Sequence, residues 1–162
     1  MDLRTSIDNY RETVFAVALG YVKNTHDADD VSQNVFLKLY QKFRKDGGFV
    51  TPEAEKAWLI RVAINESKDL LKSAWRNQTC ELNDESLHSR DSFRESDLDL
   101  YDYLQRLKPK HRTVLYLHYY EGYSTKEIAE TLKIPQMTVL SQLKRARDQL
   151  KDMIMEEEVC LT

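Results

Sequence analysis

Wherever apolar residues recur in this chain they recur at threes and fours, and that period restricts it to helices. In "IDNYRETVFAVALGYVK", Ile7, Tyr10, Val14, Val17 and Tyr21 draw one apolar stripe. "THDADDVSQNVFLKLYQKF" opens with Thr and Asp residues that suit a helix N-terminus. Its stripe is Val31, Val35, Phe36, Leu39 and Phe43. "KDGGFVTPE" reads as a loop, and Thr51-Pro52-Glu53 starts a third helix, because proline favours a first turn. That helix is predicted from about residue 53 to about 76. With 4 Gly and 3 Pro the chain has too little turn chemistry for an all-β fold. An all-α fold is expected.

Periodicity then lapses. Residues 77–95, "NQTCELNDESLHSRDSFRE", hold few apolar residues and many Asn, Asp, Ser and Glu, the pattern of a flexible linker. From Ser96 the helical spacing returns in "SDLDLYDYLQRL" and in "PKHRTVLYLHYYEG", which Pro109 opens and Gly122 closes. At 162 residues the chain suits two small helical domains. The predicted organisation is a domain over 1–76, the linker 77–95, and a domain over 96–162.

The formal net charge of −3 conceals an uneven distribution. Residues 106–151 hold ten Lys/Arg against four Asp/Glu, and residues 56–76 hold five against two. Acidic residues gather instead at 97–105 and in the terminal "MEEEVCLT". Two basic patches on an acidic body suggest local contacts with an anion, not a uniformly basic protein. No apolar run approaches the roughly 18 residues of a membrane span, so no direct membrane insertion is expected. A cytoplasmic location follows as an expectation. Cys80 and Cys160 lie far apart, and His26, His88, His111 and His118 lack metal-ligand spacing. With no Gly-rich phosphate loop and no nucleophile–base pairing, no cofactor, metal site or catalytic residue is expected.

"KEIAETLKIPQMTVLSQLKRARDQL" supplies a helix-turn-helix. Ala129 is the small residue where two helices cross, flanked by Ile128 and Leu132, with Ile134 in the turn. Val139, Leu143, Ala146 and Leu150 form the inner stripe of the second helix. Met137, Ser141, Lys144 and Arg145 fall opposite, while Gln136, Thr138, Leu140 and Gln142 lie at the flanks or the N-terminal end. Recognition helices point N-terminal residues at base edges, while Lys and Arg reach phosphates. Lys133 occupies a turn position that often holds glycine. An ordinary helical hairpin with a solvated polar face is the competing reading of this segment.

On the helix of residues 53–76, Arg61, Asn65, Lys68, Lys72 and Arg76 recur at spacings of 4, 3, 4 and 4. They fall within about 80° of arc at 100° per residue. Leu59, Ala63, Leu70 and Ala74 lie opposite as its expected core face. Such a stripe, with Trp58 and Trp75 near its edges, suits tracking a nucleic-acid backbone, although taken alone a solvated face with core tryptophans is the simpler reading. On the helix of residues 27–43, Asp30, Gln33, Asn34, Leu37 and Gln41 point away from the core stripe. A leucine among amides and an acid describes a polar interface with one apolar anchor.

Together these segments resemble an RNA polymerase sigma factor of the extracytoplasmic-function (ECF) type. The matching stretches are "DADDVSQNVFLKLYQKF", "AWLIRVAINESKDLLK" and "LKPKHRTVLYLHYYEGYSTKEIAETLKIPQMTVLSQLKRARDQL". The resemblance implies a sigma-2-like domain in which Asp30, Gln33, Asn34 and Leu37 bind the clamp helices of the polymerase's largest subunit. It implies that Arg61, Asn65, Lys68, Lys72 and Arg76 line the minus-ten strand, and that the loop Asp46 to Thr51 pockets an extruded base. It implies a sigma-4-like domain whose Gln136, Thr138, Leu140, Ser141, Lys144 and Arg145 meet the minus-thirty-five element. An anti-sigma factor is a further implied partner. The sequence departs from the family where Asn34 replaces a frequent Glu, where Leu140 and Gln142 replace basic residues, and where Met137 replaces Gly. Fewer cations lower the expected phosphate affinity and its salt dependence. The alternative function is a helix-turn-helix regulator that binds operators without polymerase. It would need a dimerisation element, and no heptad run of useful length is present.

Overall fold

The computed structural model describes residues 2–76 and 103–160. The chain divides into two compact units, Met1–Ser89 and Arg90–Thr162. Among the described residues no strand occurs. The linker expected over 77–95, and the start of the helix expected from Ser96, lie outside the described residues.

The first unit packs three helices, α1 (Leu3–Val22), α2 (Thr25–Asp46) and α3 (Pro52–Arg76). Each boundary has a local cause. Asp2 caps α1 by accepting from the Thr5 N–H at 2.8 Å. The cap of α2 is not the Thr or Asp of its opening turn but Asn24. Its amide oxygen accepts from the Asp27 N–H at 2.8 Å, while its Nδ2 donates to Asp27 Oδ2 at 2.7 Å. One side chain thus satisfies a backbone donor and holds the acid that complements the helix dipole. Gly47, at φ 80°, ends α2 with its N–H on the Phe43 carbonyl. Thr51 Oγ1 then accepts from the Ala54 N–H at 3.1 Å, so Pro52 begins α3 as its position suggests.

The core of this unit is Val14, Val17, Ala18, Leu19, Tyr21 and Val22 from α1, Ala28, Val31, Val35 and Leu39 from α2, and Leu59, Ile60, Ala63 and Ile64 from α3. Ile7, Tyr10, Phe36 and Phe43 are half-buried at its margins. The expected core face of α3 is corrected in its second half: Leu70 is half-buried and Ala74 exposed. Among the described side chains of α3 the last buried one is Ser67, whose hydroxyl donates to the Ala63 carbonyl at 2.7 Å. Over residues 70–74 α3 runs past the packed core, so the period there buries little.

In the second unit, residues 103–105 are helical and lead to α4 (Pro109–Leu115). The buried Arg112 guanidinium ties this join, donating to the carbonyls of Gln105 at 3.0 Å and Leu107 at 2.7 Å. Charged donors on carbonyls hold more firmly than neutral ones. The single helix expected to close at Gly122 instead widens after Leu115 into a π-helical turn, Tyr116–Tyr120. Tyr116 stacks on Tyr120 at 5.1 Å and donates to Glu121 Oε1 at 2.7 Å, which stabilises the extra residue in the turn. Two further helices follow, α5 (Thr125–Leu132) and α6 (Gln136–Cys160). The core of this unit is Leu107, Val114, Leu115, Leu117, Ile128, Ala129, Val139, Leu143 and Ala146.

Two consequences can be measured. Lys133 sits at φ 58°, ψ 45°, a left-handed conformation that costs a side chain bearing Cβ about 1–2 kcal/mol. Lys133→Gly is therefore expected to stabilise the second unit by about 1 kcal/mol, read as a raised melting temperature. His111 is buried, and burial pushes its imidazole below the ordinary range; its contact with Gln149 Oε1 at 3.3 Å only partly offsets this. Because the folded value lies below the unfolded 6.5, the unfolded chain binds the extra proton. The second unit should hold its full stability above about pH 6.5 and lose it as pH falls through the folded value. Thermal melts from pH 7.5 to 5 should show that loss, and His111→Leu should reduce its slope.

Candidate nucleic-acid and polymerase interfaces

Burial of Val31, Val35 and Leu39 sets the rotation of α2 and turns a polar face outward. On it Gln33 and Asn34 are exposed, Asp30 is half-buried, and Leu37 is 59% exposed. His26 Nε2 lies 3.9 Å from Asp30 Oδ2, a pair only when the imidazole is protonated. The four residues singled out by sequence thus share one accessible face. Spacing did not indicate the groove beside it, where Ile7 and Phe15 of α1 meet Phe36, Leu37 and Tyr40 of α2. Leu37 is therefore not an isolated apolar residue but the rim of an apolar trough. The available signal was Tyr40, three residues beyond Leu37 and so on the same side of the helix.

On α3, Asn65, Lys68 and Lys72 are exposed, Arg61 is half-buried, and the side chain of Arg76 lies outside the described residues. Glu66, which interrupts the basic stripe in sequence, forms an ion pair with Lys38 of α2. That pairing removes one acid from the stripe's field and ties α3 to α2, and no local pattern announces it. The loop before α3 is built by Gly47 at φ 80° and Gly48 at φ 111°. A Cβ at Gly48 would also come within 3.1 Å of the Phe43 ring. The loop carries Phe49, whose ring packs against Trp58 at 5.4 Å with Lys42 Nζ 4.9 Å from its centroid. Trp58 is half-buried, neither a core residue nor a free platform. Val50 is 100% exposed at the tip. The side chain of Trp75 lies outside the described residues.

The second unit holds the helix-turn-helix. A capping box opens α5, with the Glu127 N–H donating to Ser124 Oγ at 3.1 Å and Glu127 Oε1 accepting from the Ser124 N–H at 3.4 Å. Its end is tied by the N–H of Lys133 and of Ile134 on the Ala129 carbonyl. The N–H groups of Thr138 and Val139 bond the Pro135 carbonyl at 3.0 and 3.2 Å, which starts α6 at once. With Val139, Leu143 and Ala146 inward, Gln136, Met137, Leu140, Ser141, Lys144 and Arg145 are exposed together, and Thr138 and Gln142 are half-buried on the flanks. Met137 is 72% and Leu140 41% exposed, so the face is mixed rather than uniformly basic. Gln136 is not free: its Nε2 donates to Thr125 Oγ1 at 3.0 Å. Arg147 turns the other way and donates to the Tyr119 hydroxyl at 3.0 Å.

Comparison with known proteins gives these faces a context. Residues 7–77 match the family model "Sigma-70 region 2", and residues 97–150 match "Sigma-70, region 4". The RNA polymerase sigma-H factor of Pseudomonas aeruginosa is 30% identical over 158 residues, covering 86% of this chain and 79% of that one. The ECF RNA polymerase sigma factor SigL of Mycobacterium tuberculosis is 31% identical over 147 residues, covering 87% and 82%. The fold is similar to that of the sigma factor RpoE of Bartonella quintana, solved with the anti-sigma factor NepR. The TM-score is 0.74 at 19% identity, over 94% of this chain and 96% of that one. A second likeness is to CnrH, solved with the cytosolic domain of CnrY, at a TM-score of 0.67 and 22% identity over 95% and 88%. Among the described residues no helix is long and apolar enough to cross a membrane. Two regions matched in order, and relatives matched over most of their own length, place the chain in the family of ECF RNA polymerase sigma factors.

Proposed function

We propose that this chain binds core RNA polymerase through its first unit and directs promoter-specific initiation through both. The single observation that carries the reading is the match to regions 2 and 4 in that order, each on a unit that exposes its own polar face. In this reading Asp30, Gln33, Asn34 and Leu37 dock on the clamp helices of the largest polymerase subunit. Leu37 and the adjoining trough supply the apolar anchor that an interface centre requires.

Arg61, Asn65, Lys68, Lys72 and Arg76 follow the minus-ten strand, and the loop Asp46 to Thr51 receives an extruded base. Extrusion costs a few kcal/mol, which stacking and pocket contacts must offset. The Phe49–Trp58 ring pair and the bare Val50 tip provide surface of that kind. Gln136, Thr138, Leu140, Ser141, Lys144 and Arg145 enter the major groove of the minus-thirty-five element. The chain confers specificity and the polymerase performs the chemistry. An operator-binding regulator that acts without polymerase would leave the region 2 match without a role. The likeness to the sigma factor RpoE, solved with the anti-sigma factor NepR, supports an anti-sigma factor as a further partner here.

Few outward cations on α6 imply modest affinity of the free chain for DNA. Tethering by polymerase raises the effective concentration of the recognition helix at the promoter and removes the need for more.

A crossed experiment tests the division of labour. Leu37→Arg should weaken binding to core polymerase about ten-fold or more, with an unchanged thermal melt, since a buried anchor becomes an unpaired charge. Lys144→Ala with Arg145→Ala should leave core binding intact and abolish promoter-specific starts in run-off transcription. Unchanged core affinity of the first variant, or full starts from the second, would remove the corresponding face from its assigned role.

A further inference from the structure

The bond between Gln136 and Thr125 joins the first residue of α6 to the first residue of α5, eleven positions apart. Gln136 is exposed at the end of the recognition helix that enters the groove first. A free glutamine there would sample many rotamers and could present either end of its amide to a base. In this structure one N–H of its Nε2 is committed to Thr125 Oγ1 at 3.0 Å. That leaves the second N–H as a donor and Oε1 as an acceptor.

We infer that Thr125 is a positioning residue that holds Gln136 for adenine in the upstream promoter element. The inference rests on the reading of α6 as the recognition helix. In the major groove adenine presents an acceptor, N7, beside a donor, N6–H, and guanine presents two acceptors. Cytosine offers a donor, and thymine an acceptor with a methyl group. An amide fixed with one donor and one acceptor on its outward edge satisfies adenine at both positions and meets the edge of guanine with one repulsive contact. Leu140 lies one turn further along the same face and is 41% exposed. Its apolar surface suits the methyl of the paired thymine, where a lysine or arginine would seek phosphate instead. Fixing the rotamer before binding also lowers the ordering cost of the contact. Thr125 itself need not touch the base.

The test uses holoenzyme assembled from the full chain and core polymerase, presented with a duplex library randomised across the upstream promoter region. The bound duplexes are then sequenced. The native chain should enrich adenine at one position, and Gln136→Ala should erase that preference. Thr125→Val should reduce it about ten-fold, the scale of discrimination a bidentate amide contact supplies, while preferences at other positions persist. Thr125→Ser, which keeps the hydroxyl, should restore it, and thermal melts of both Thr125 variants should match the native chain. An unchanged preference in Thr125→Val would overturn the inference. So would a fall spread evenly over all positions, a preference for guanine at the position that Gln136 reads, or no effect of Gln136→Ala. In each of these cases α6 remains the recognition helix if Lys144→Ala with Arg145→Ala still removes the upstream preference. Enrichment of no upstream position at all would sink the recognition-helix reading and this inference with it.

Discussion

Burial of one narrow apolar stripe per helix decides nearly everything else about this molecule. On α6 the stripe is Val139, Leu143 and Ala146. Removing these side chains from water is worth about 25 cal/mol per Å² of apolar surface, and a helix has only one rotation that achieves it. That rotation sends Gln136, Met137, Ser141, Lys144 and Arg145 outward as a set. The same holds on α2, where Val31, Val35 and Leu39 turn Gln33, Asn34 and Leu37 to the surface. The faces proposed to bind polymerase and DNA are the complements of the core faces. A polar side chain need not be positioned singly when the stripe behind it sets the whole helix.

This relation explains what could be seen in the sequence. The helix-turn-helix was legible because Ile128, Ala129, Val139, Leu143 and Ala146 all meet the period and all are buried. The outward set on α2 was legible for the same reason. Where the period continues but the partner ends, legibility fails. Leu70 and Ala74 keep the spacing of a core face, yet α3 has already passed its packed region. Interactions between segments were also hidden. The ion pair between Glu66 and Lys38 joins two helices and has no local pattern in the sequence. Gln136 reads as a free amide until the turn brings Thr125 within 3.0 Å. The π turn at Tyr116–Tyr120 depends on a stacked tyrosine pair and a bond to Glu121, which no apolar periodicity encodes.

The charge distribution follows from the same separation of faces. A net charge of −3 would be a poor guide to a protein that meets DNA, because the cations proposed to meet it are few and lie on two helices. On α6 the outward face combines an amide, a thioether, a leucine and a hydroxyl with two cations. In the proposed function, such a surface would read base edges more than it grips phosphates. Specificity without strong free affinity suits a subunit that reaches its site as part of a larger enzyme.

As a sigma factor, this chain is expected to become an RNA polymerase subunit and select where transcription starts. Mixing the purified chain with core polymerase and following both assembly and run-off transcription tests it most directly. A one-to-one complex that initiates at defined sites, where core alone does not, is the expected result. A chain that binds promoter DNA while remaining separate from polymerase, and that leaves start-site selection unchanged, would contradict it.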